Sequence, residues 1–205
     1  SMKDEAGRVL VDGWYDTAEP IGEEERAALA AMPAWDEQLK RELGIVRSEG
    51  EPESLPERLM VPALNIRGIT SGNTGALARN VIPNTAVAAL GIRLVKGNDP
   101  AHLRQLIVDH IQRQGFHVVS QDPDMETRRS YPLIAKVTGG GGSRAARTSM
   151  TNPFAQSVMA AASMAASQAF GEGSLVVAPG MGGTLPITPF TEILQKPAIT
   201  VPVAN

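Results

Sequence analysis

The stretch Asn84-Thr85-Ala86-Val87-Ala88-Ala89-Leu90-Gly91-Ile92-Arg93-Leu94-Val95-Lys96 has the alternating pattern of a half-buried β-strand. Because successive side chains of a strand point to opposite faces, Leu90, Ile92 and Leu94 share one face and Arg93 lies on the other. We expect the apolar face to pack under helices. Arg93 must then face away from them.

A helix is predicted next along the chain. Asp99 and Pro100 are typical of a helix start, since aspartate accepts hydrogen bonds from the first turn and proline suits the first helical position. Apolar residues recur at helical spacing until Gly115, which ends the helix. Further strands are predicted at residues 61–70, 116–121 and 132–138. This order predicts an α+β fold, a mainly antiparallel sheet with helices on one face.

The first 60 residues are predicted to be helical or extended. A short strand at residues 8–12 precedes one helix from Ile21 to about Met32 and another from Trp35 to Leu43. Gly44 is a suitable C-terminal cap for the second helix. We expect these residues to form an N-terminal segment that precedes the sheet and belongs to the same region of the fold.

Four consecutive glycines, Gly139–Gly142, form a predicted joint, which is either a disordered loop or a hinge. After it, Asn152 caps an Ala- and Met-rich helix that runs to about Phe170. Its apolar stripe is expected to pack on a sheet and consists of Phe154, Val158, Ala161, Ala165 and Ala169. Leu175–Val177 and Ala198–Val201 have the composition of buried strands. We therefore place a boundary near residues 139–150 and predict a partial α/β segment beyond it.

Composition limits the function classes. The chain has 205 residues and a net charge of −3, so it lacks the basic character of proteins that bind nucleic acid or an anionic membrane. It has no cysteine, which excludes disulfides and fits a cytoplasmic location. No apolar run approaches the ~20 residues of a membrane span. Ser1 before Met2 suggests a cloning scar, and the apolar run Ile199–Asn205 suggests a truncated reading frame.

Two polar stretches are of interest for function. Asn80 stands in Ala78-Arg79-Asn80-Val81-Ile82-Pro83, and Arg93 follows the proline by ten residues. Arginine offers two parallel donors to a carboxylate and stays charged. Downstream, Gly182, Gly183 and Thr184 precede Leu185-Pro186-Ile187, where glycine permits close approach and a threonine-capped helix start would favour an anion. The simpler alternative is a turn asparagine, a surface arginine and an ordinary glycine turn.

These stretches, in this order and spacing, resemble the zinc metallopeptidases of the carnosinase, aminoacylase and succinyl-diaminopimelate desuccinylase superfamily. The resemblance extends from Gly7 to Asn205 and includes Gly13-Trp14-Tyr15-Asp16 and Val61–Ile66. It implies a ferredoxin-like lid that dimerises, with Asn80 reaching the partner subunit's active site. It also implies that Arg93 and Gly182–Thr184 bind the substrate's carboxylate, and that the lid's first strand and helix precede this chain.

The same resemblance implies a zinc ion, or another divalent metal, in the intact enzyme, where a metal-bound hydroxide attacks a peptide carbonyl. This chain has none of the family's metal-binding segments. Its histidines, His102, His110 and His117, show no metal-ligand spacing. The triplet Glu23–Glu25 is interpreted as a helix start and not as the family's catalytic glutamate pair. We therefore expect no catalytic residue and no bound metal in this chain.

The leading hypothesis is part of a homodimeric zinc dipeptidase or N-acyl amino-acid amidohydrolase, inactive by itself. Its predicted parts are an N-terminal segment of the lid region, the lid, and a partial α/β catalytic segment: residues 1–60, 61–142 and 143–205. The alternative is a non-catalytic oligomerisation or small-molecule-binding α+β module. A hydrolase with a Ser-His-Asp triad is a third possibility that no arrangement of residues suggests. Arg144 and Arg147 are predicted to be solvated.

Overall fold

The computed structural model describes residues 1–202, so the last three residues of the predicted second part lie outside the described residues. The chain contains helices together with a small antiparallel sheet, which confirms the α+β class. In order they are α1 (Glu23–Ala31), α2 (Asp36–Leu43), α3 (Leu55–Arg58), β1 (Ala63–Thr70), β2 (Val87–Arg93), α4 (Pro100–Arg113), β3 (His117–Val119), α5 (Met125–Ser130), β4 (Ile134–Lys136) and α6 (Pro153–Phe170). Two single turns of helix accompany them, at Gly75–Leu77 and Pro189–Ile193.

The predicted helix ends are confirmed by their caps. The side chain of Asp99 accepts hydrogen bonds from the backbone N–H groups of Ala101 and His102 at the start of α4. Asn152 accepts a hydrogen bond from the N–H of Phe154 at the start of α6. Gly44 follows α2 in the left-handed conformation, with φ of 67°. Local chemistry therefore determines where these helices begin and end.

β1 and β2 form an antiparallel two-stranded ribbon. Ala63 pairs with Arg93 at one end and Thr70 with Val87 at the other, and a register shift between Ile66 and Gly68 leaves one extra residue in β1. The predicted strands at 116–121 and 132–138 are shorter, and as β3 and β4 they pair in parallel in a separate sheet. The small antiparallel sheet thus exists, but it does not include all four predicted strands.

The core lies between the ribbon and α4. Leu64 of β1 and Leu103 of α4 are almost completely buried, and Leu90, Ile92 and Leu94 pack against the same cluster, as predicted. Trp14 joins them from the N-terminal segment and donates a hydrogen bond from Nε1 to the carbonyl oxygen of Pro62, at 3.1 Å. The N-terminal residues therefore belong to this core, where the predicted strand at 8–12 is reduced to a single bridge between Lys3 and Val9.

Residues beyond the glycines differ from the prediction. Leu175–Val177 and Ala198–Val201 form no strand, since within residues 1–202 no strand lies beside them to supply hydrogen bonds. The predicted stripe of α6 has no sheet to pack on in the described chain, and Phe154 and Met164 are exposed. Only Ala155 of this helix is buried.

None of the helices within residues 1–202 combines the length and the apolar character that a membrane span requires.

Candidate functional site

Asn80 lies in the long turn that joins β1 to β2. Every residue from 71 to 86 is exposed, including the apolar Val81 and Ile82. The base of the turn is closed by the hydroxyl of Ser71, which donates a hydrogen bond to the carbonyl oxygen of Thr85 at 3.0 Å. Gly72, with φ of 62°, lies directly under Pro83, and a Cβ there would be 2.8 Å from the proline Cγ. The turn therefore has a defined base and a fully solvent-exposed tip.

Arg93 ends β2 and is exposed on the face opposite the core, as predicted. Ile92 and Leu94 on either side are partly buried, so the backbone at Arg93 is held by packing. Its guanidinium makes no hydrogen bond or ion pair with any residue from 1 to 202. A fixed backbone with an uncommitted guanidinium is a suitable arrangement for binding an anion.

Arg67 is a second cation on this face, which sequence analysis missed. It is the extra residue at the register shift of β1, and its side chain lies over Gly91. A Cβ on Gly91 would be 2.8 Å from Cδ of Arg67. Since Gly91 and Arg93 are two residues apart on one strand, Arg67 and Arg93 share the outer face of the ribbon. The feature of the sequence that could have indicated this contact is Gly91, a glycine inside a predicted strand.

The glycine loop, residues 180–184, packs against the residues that lead into β1. A Cβ on Gly180 would lie 2.6 Å from Sδ of Met60, and one on Gly182 would lie 3.3 Å from Cδ2 of Leu59. Gly182, Gly183 and Thr184 are themselves exposed. These contacts place the loop beside the strand end that carries Arg93, because Ala63 is the partner of Arg93 and follows Leu59 by four residues.

Thr184 does not start a helix, so that prediction is wrong. The next helical turn begins at Pro189, after Thr188. A helix capped by Thr184 would have Leu185 as its first residue, and Leu185 precedes Pro186, where helical conformation is disfavoured although Thr188 adopts it before Pro189. The threonine hydroxyl and the flanking backbone N–H groups remain available, without the contribution of a helix dipole.

The predicted site residues divide between the two ends of the ribbon. Leu59 to Ala63 spans at most about 14 Å of extended chain, so the glycine loop and Arg93 lie at one end. β1 has eight residues and is therefore about 23 Å long, and Asn80 lies beyond its far end. Within one copy of the chain, Asn80 is thus separated from Arg93 by the length of the ribbon.

The acidic triplet and the histidines behave as structural residues. Glu25 closes a capping box, in which its Oε2 accepts a hydrogen bond from the N–H of Gly22 at 2.7 Å, so the helix-start prediction is confirmed. His102 is exposed, His110 is buried on α4, and His117 stacks on the ring of Tyr131. Within residues 1–202, no three acidic or histidine side chains are close enough to hold a metal ion. These residues therefore do not fit a metal centre.

The two arginines after the glycine run Gly139–Gly142 differ in environment. Arg144 lies on the surface and pairs with Asp99 at 2.7 Å. The N–H of His102 and the Arg144 guanidinium both lower the pKa of Asp99. The side chain of Arg147 is only 7% exposed and pairs with Glu25 and Glu19, so the prediction that it is solvated is wrong. A long-range pair of this kind leaves no sign in sequence spacing.

Comparisons with known proteins agree with this architecture. Residues 23–118 match the family model described as a peptidase dimerisation domain. The Cys-Gly metallodipeptidase DUG1 of Candida albicans is 28% identical over 113 residues, which cover 54% of this chain and 23% of that protein. The Beta-Ala-His dipeptidase of Rattus norvegicus is 27% identical over 114 residues, which cover 55% of this chain and 23% of that protein.

A solved structure extends the similarity to nearly the whole chain. The M20 family metallo-carboxypeptidase Sso-CP2 of Sulfolobus solfataricus superposes with a TM-score of 0.71 at 26% identity, covering 95% of this chain and 45% of that one. This chain therefore spans less than half of the carboxypeptidase, and its match covers about a quarter of each dipeptidase.

The fold and the matched region define a peptidase dimerisation domain. Over nearly its whole length, the chain is similar to part of an M20 family enzyme. The resemblance inferred from the sequence is thereby confirmed.

Proposed function

We propose that this chain supplies the lid, the dimer contacts and the substrate-carboxylate site of a zinc-dependent dipeptidase or N-acyl amino-acid amidohydrolase. The relevant parts are an N-terminal segment of the lid region (1–60), the lid (61–142) and part of the catalytic domain (143–205). Arg93 binds the free carboxylate of the substrate through two parallel hydrogen bonds. Gly182, Gly183 and Thr184 add backbone N–H groups and a hydroxyl from the adjacent loop.

The observation that carries this proposal is the placement of the glycine loop beside the end of β2. Residues 180–184 are more than 85 residues from Arg93 in sequence, yet both are positioned by the start of β1. Arg67 on the same face raises the positive potential there, which favours an anionic group. An exposed arginine in an unrelated position would have no such companions.

Asn80 acts in the site of a second copy. The ribbon length keeps it away from Arg93 of its own chain, so a role beside the same substrate requires another subunit. Both outer edges of the ribbon are unpaired within the described residues. Apolar side chains are exposed at its middle and at its far end, namely Ile66, Ile69 and Val87. Open edges and exposed apolar side chains favour association with a second ribbon. A homodimer is the simplest such assembly.

The chain by itself is inactive in this proposal. Its described residues provide no cluster that fits a metal, so zinc and the chemistry it supplies belong to parts of the enzyme outside this chain. The chain's own contribution is to bind and orient the substrate's acid end. A cytoplasmic location remains a prediction from the lack of cysteine.

Three measurements test the proposal. Dipeptide hydrolysis should be absent when the chain is mixed with equimolar zinc, and light scattering should give twice the mass of one chain. Affinity for an N-acetyl amino acid, measured by calorimetry, should fall about tenfold or more in Arg93→Met, since a charge-assisted pair is lost. Arg129→Met is the matched control, because Arg129 is exposed and makes no ion pair within residues 1–202.

Hydrolysis at stoichiometric zinc would contradict the predicted inactivity. Equal ligand affinity in the two arginine variants would contradict the carboxylate site. A dimer that binds no carboxylate would favour the alternative, a non-catalytic oligomerisation module. The exposed apolar residues of the ribbon are the observation on which that alternative depends.

A further inference from the structure

The glycine run is held on both sides by arginine contacts, although its composition predicts a free joint. On the near side, Arg104 of α4 donates a hydrogen bond from Nε to the carbonyl oxygen of Gly139, at 2.8 Å. On the far side, Arg144 pairs with Asp99 at the start of the same helix. Arg147 follows Arg144 by three positions and makes the most buried of these contacts.

Arg147 is bound to the residues that precede and open α1. Its Nη2 donates to the carbonyl oxygen of Pro20 at 2.9 Å and to that of Glu19 at 3.3 Å. Its Nε lies 3.4 Å from Oε1 of Glu25, and these two side chains are only 7% and 8% exposed. The hydrogen bond between Arg147 and Pro20 joins two residues that are 127 positions apart in the sequence. The two residues lie on opposite sides of the glycine run.

The burial of this arginine makes its partners important. A charge removed from water requires a counter-charge and hydrogen bonds, and removing one partner leaves the other uncompensated. Within residues 1–202, Nε of Arg147 is the one buried side-chain nitrogen or oxygen without a hydrogen bond. The Glu25 carboxylate is nevertheless within ion-pair distance, so the attraction between the two charges holds this part of the contact.

Glu19 connects the same cluster to the strand of Arg93. Its Oε1 lies 3.5 Å from Arg147, and its Oε2 lies 3.2 Å from Nζ of Lys96. The backbone N–H of Glu19 also donates to the carbonyl oxygen of Lys96 at 2.8 Å. Lys96 follows Arg93 by three residues, so one glutamate contacts both the segment just after β2 and the chain beyond the glycines.

We propose that Arg147 is a positioning residue that fixes the segment after the glycine run relative to the strand of Arg93. Through Glu19 and Glu25 it limits the motion that the glycines would otherwise allow. The reason why this position matters rests on the proposed function, in which Arg93 and the glycine loop beyond the run bind one ligand. The positioning itself requires no ligand and is measured separately.

Spin-label distances test the proposal directly, because the chain has no cysteine of its own. Gln112→Cys on α4 and Ser163→Cys on α6 introduce exposed labelling sites on the two sides of the run. In the otherwise unchanged chain we expect a narrow distance distribution. Arg147→Met should broaden it at least about twofold, and amide exchange at residues 139–150 should accelerate about tenfold or more.

Further variants separate positioning from general destabilisation. Glu25→Gln removes the negative charge opposite Arg147 with little change of shape and should broaden the same distance distribution. This second variant keeps the proposal testable if Arg147→Met fails to fold. Arg147→Lys keeps the charge but loses the two-carbonyl contact, so it should give an intermediate width. Arg129→Met, the exposed control, should leave the distribution narrow.

An unchanged distribution and unchanged exchange in both Arg147→Met and Glu25→Gln would overturn the proposal. Equal acceleration of exchange in α4 and in residues 139–150 would also overturn it, since that result indicates a loss of overall stability. A narrow distribution with no carboxylate binding would instead contradict the proposed function and leave the positioning role intact.

Discussion

The ribbon with α4 and the segment after the glycine run contain similar apolar patterns but differ in what covers them. Leu64 and Leu103 are 2% and 0% exposed, whereas Phe170 of α6 is 83% exposed. The first region contains both surfaces of its core, a sheet face and a helix face. The second has a helix without a covering sheet in the described chain. An apolar stripe in the sequence is thus enough to predict a helix. Burial of that stripe also requires a second apolar surface that covers it.

The largest expected difference between the two regions concerns their apolar side chains. Leu103→Ala should lower the free energy of unfolding by about 2–5 kcal/mol, because it leaves a cavity in the core. Met164→Ala, on the exposed side of α6, should change it by no more than about 0.5 kcal/mol. Urea unfolding measures both. Equal losses would mean that α6 has a packed surface in solution.

Helix caps test the same difference between the two regions through smaller effects. Asn152→Ala removes the hydrogen bond to the N–H of Phe154 and should destabilise α6 by about 1 kcal/mol. The effect should remain local, with faster amide exchange in the first turn of α6 alone. Asp99→Ala removes the cap of α4 and its pair with Arg144, and should lower the urea midpoint of the whole lid. A global effect of Asn152→Ala would show that the two regions unfold together.

A pH effect tests how charge stabilises the N-terminal segment. Hydrogen bonds from Lys40 and from the N–H of Ser48 lower the pKa of Glu51 from 4.5 to about 2. Because the pKa of Glu51 is lower in the folded state, its contacts stabilise the folded protein fully above the unfolded-state pKa. This stabilisation is lost as the pH falls from about 4.5 through about 2. Glu51→Gln should therefore reduce the urea midpoint near neutral pH and flatten its decrease below about pH 4.5.

The control for this prediction is Glu126→Gln, since Glu126 is exposed and makes no ion pair in the described chain. It should leave the acid dependence as it is. Identical pH profiles for Glu51→Gln and the unchanged chain would contradict the role given to the Lys40 and Ser48 contacts.

Sequence reasoning succeeded where structure depends on neighbouring residues. The caps at Asp99 and Asn152 and the inward set of β2 follow from local hydrogen bonds and from the two-residue period of a strand. The exposed position of Arg93 follows from the same alternation. These features require no knowledge of distant parts of the chain.

It failed where distant residues decide the outcome. The extra residue in β1 that brings Arg67 over Gly91 depends on strand pairing, and the burial of Arg147 depends on residues near position 20. The predicted strand at Leu175–Val177 has suitable composition but no strand beside it among residues 1–202. Composition alone cannot show whether such a neighbour is present.

Binding of a free carboxylate by Arg93 and the glycine loop can be observed by nuclear magnetic resonance of the isotope-labelled chain. Titration with an N-acetyl amino acid should shift the Arg93 Nε–H resonance and the amides of Gly182, Gly183 and Thr184. The methyl ester of the same compound, which has no carboxylate, should leave them unchanged. Equal shifts with the acid and the ester, or shifts only elsewhere in the chain, would contradict the account.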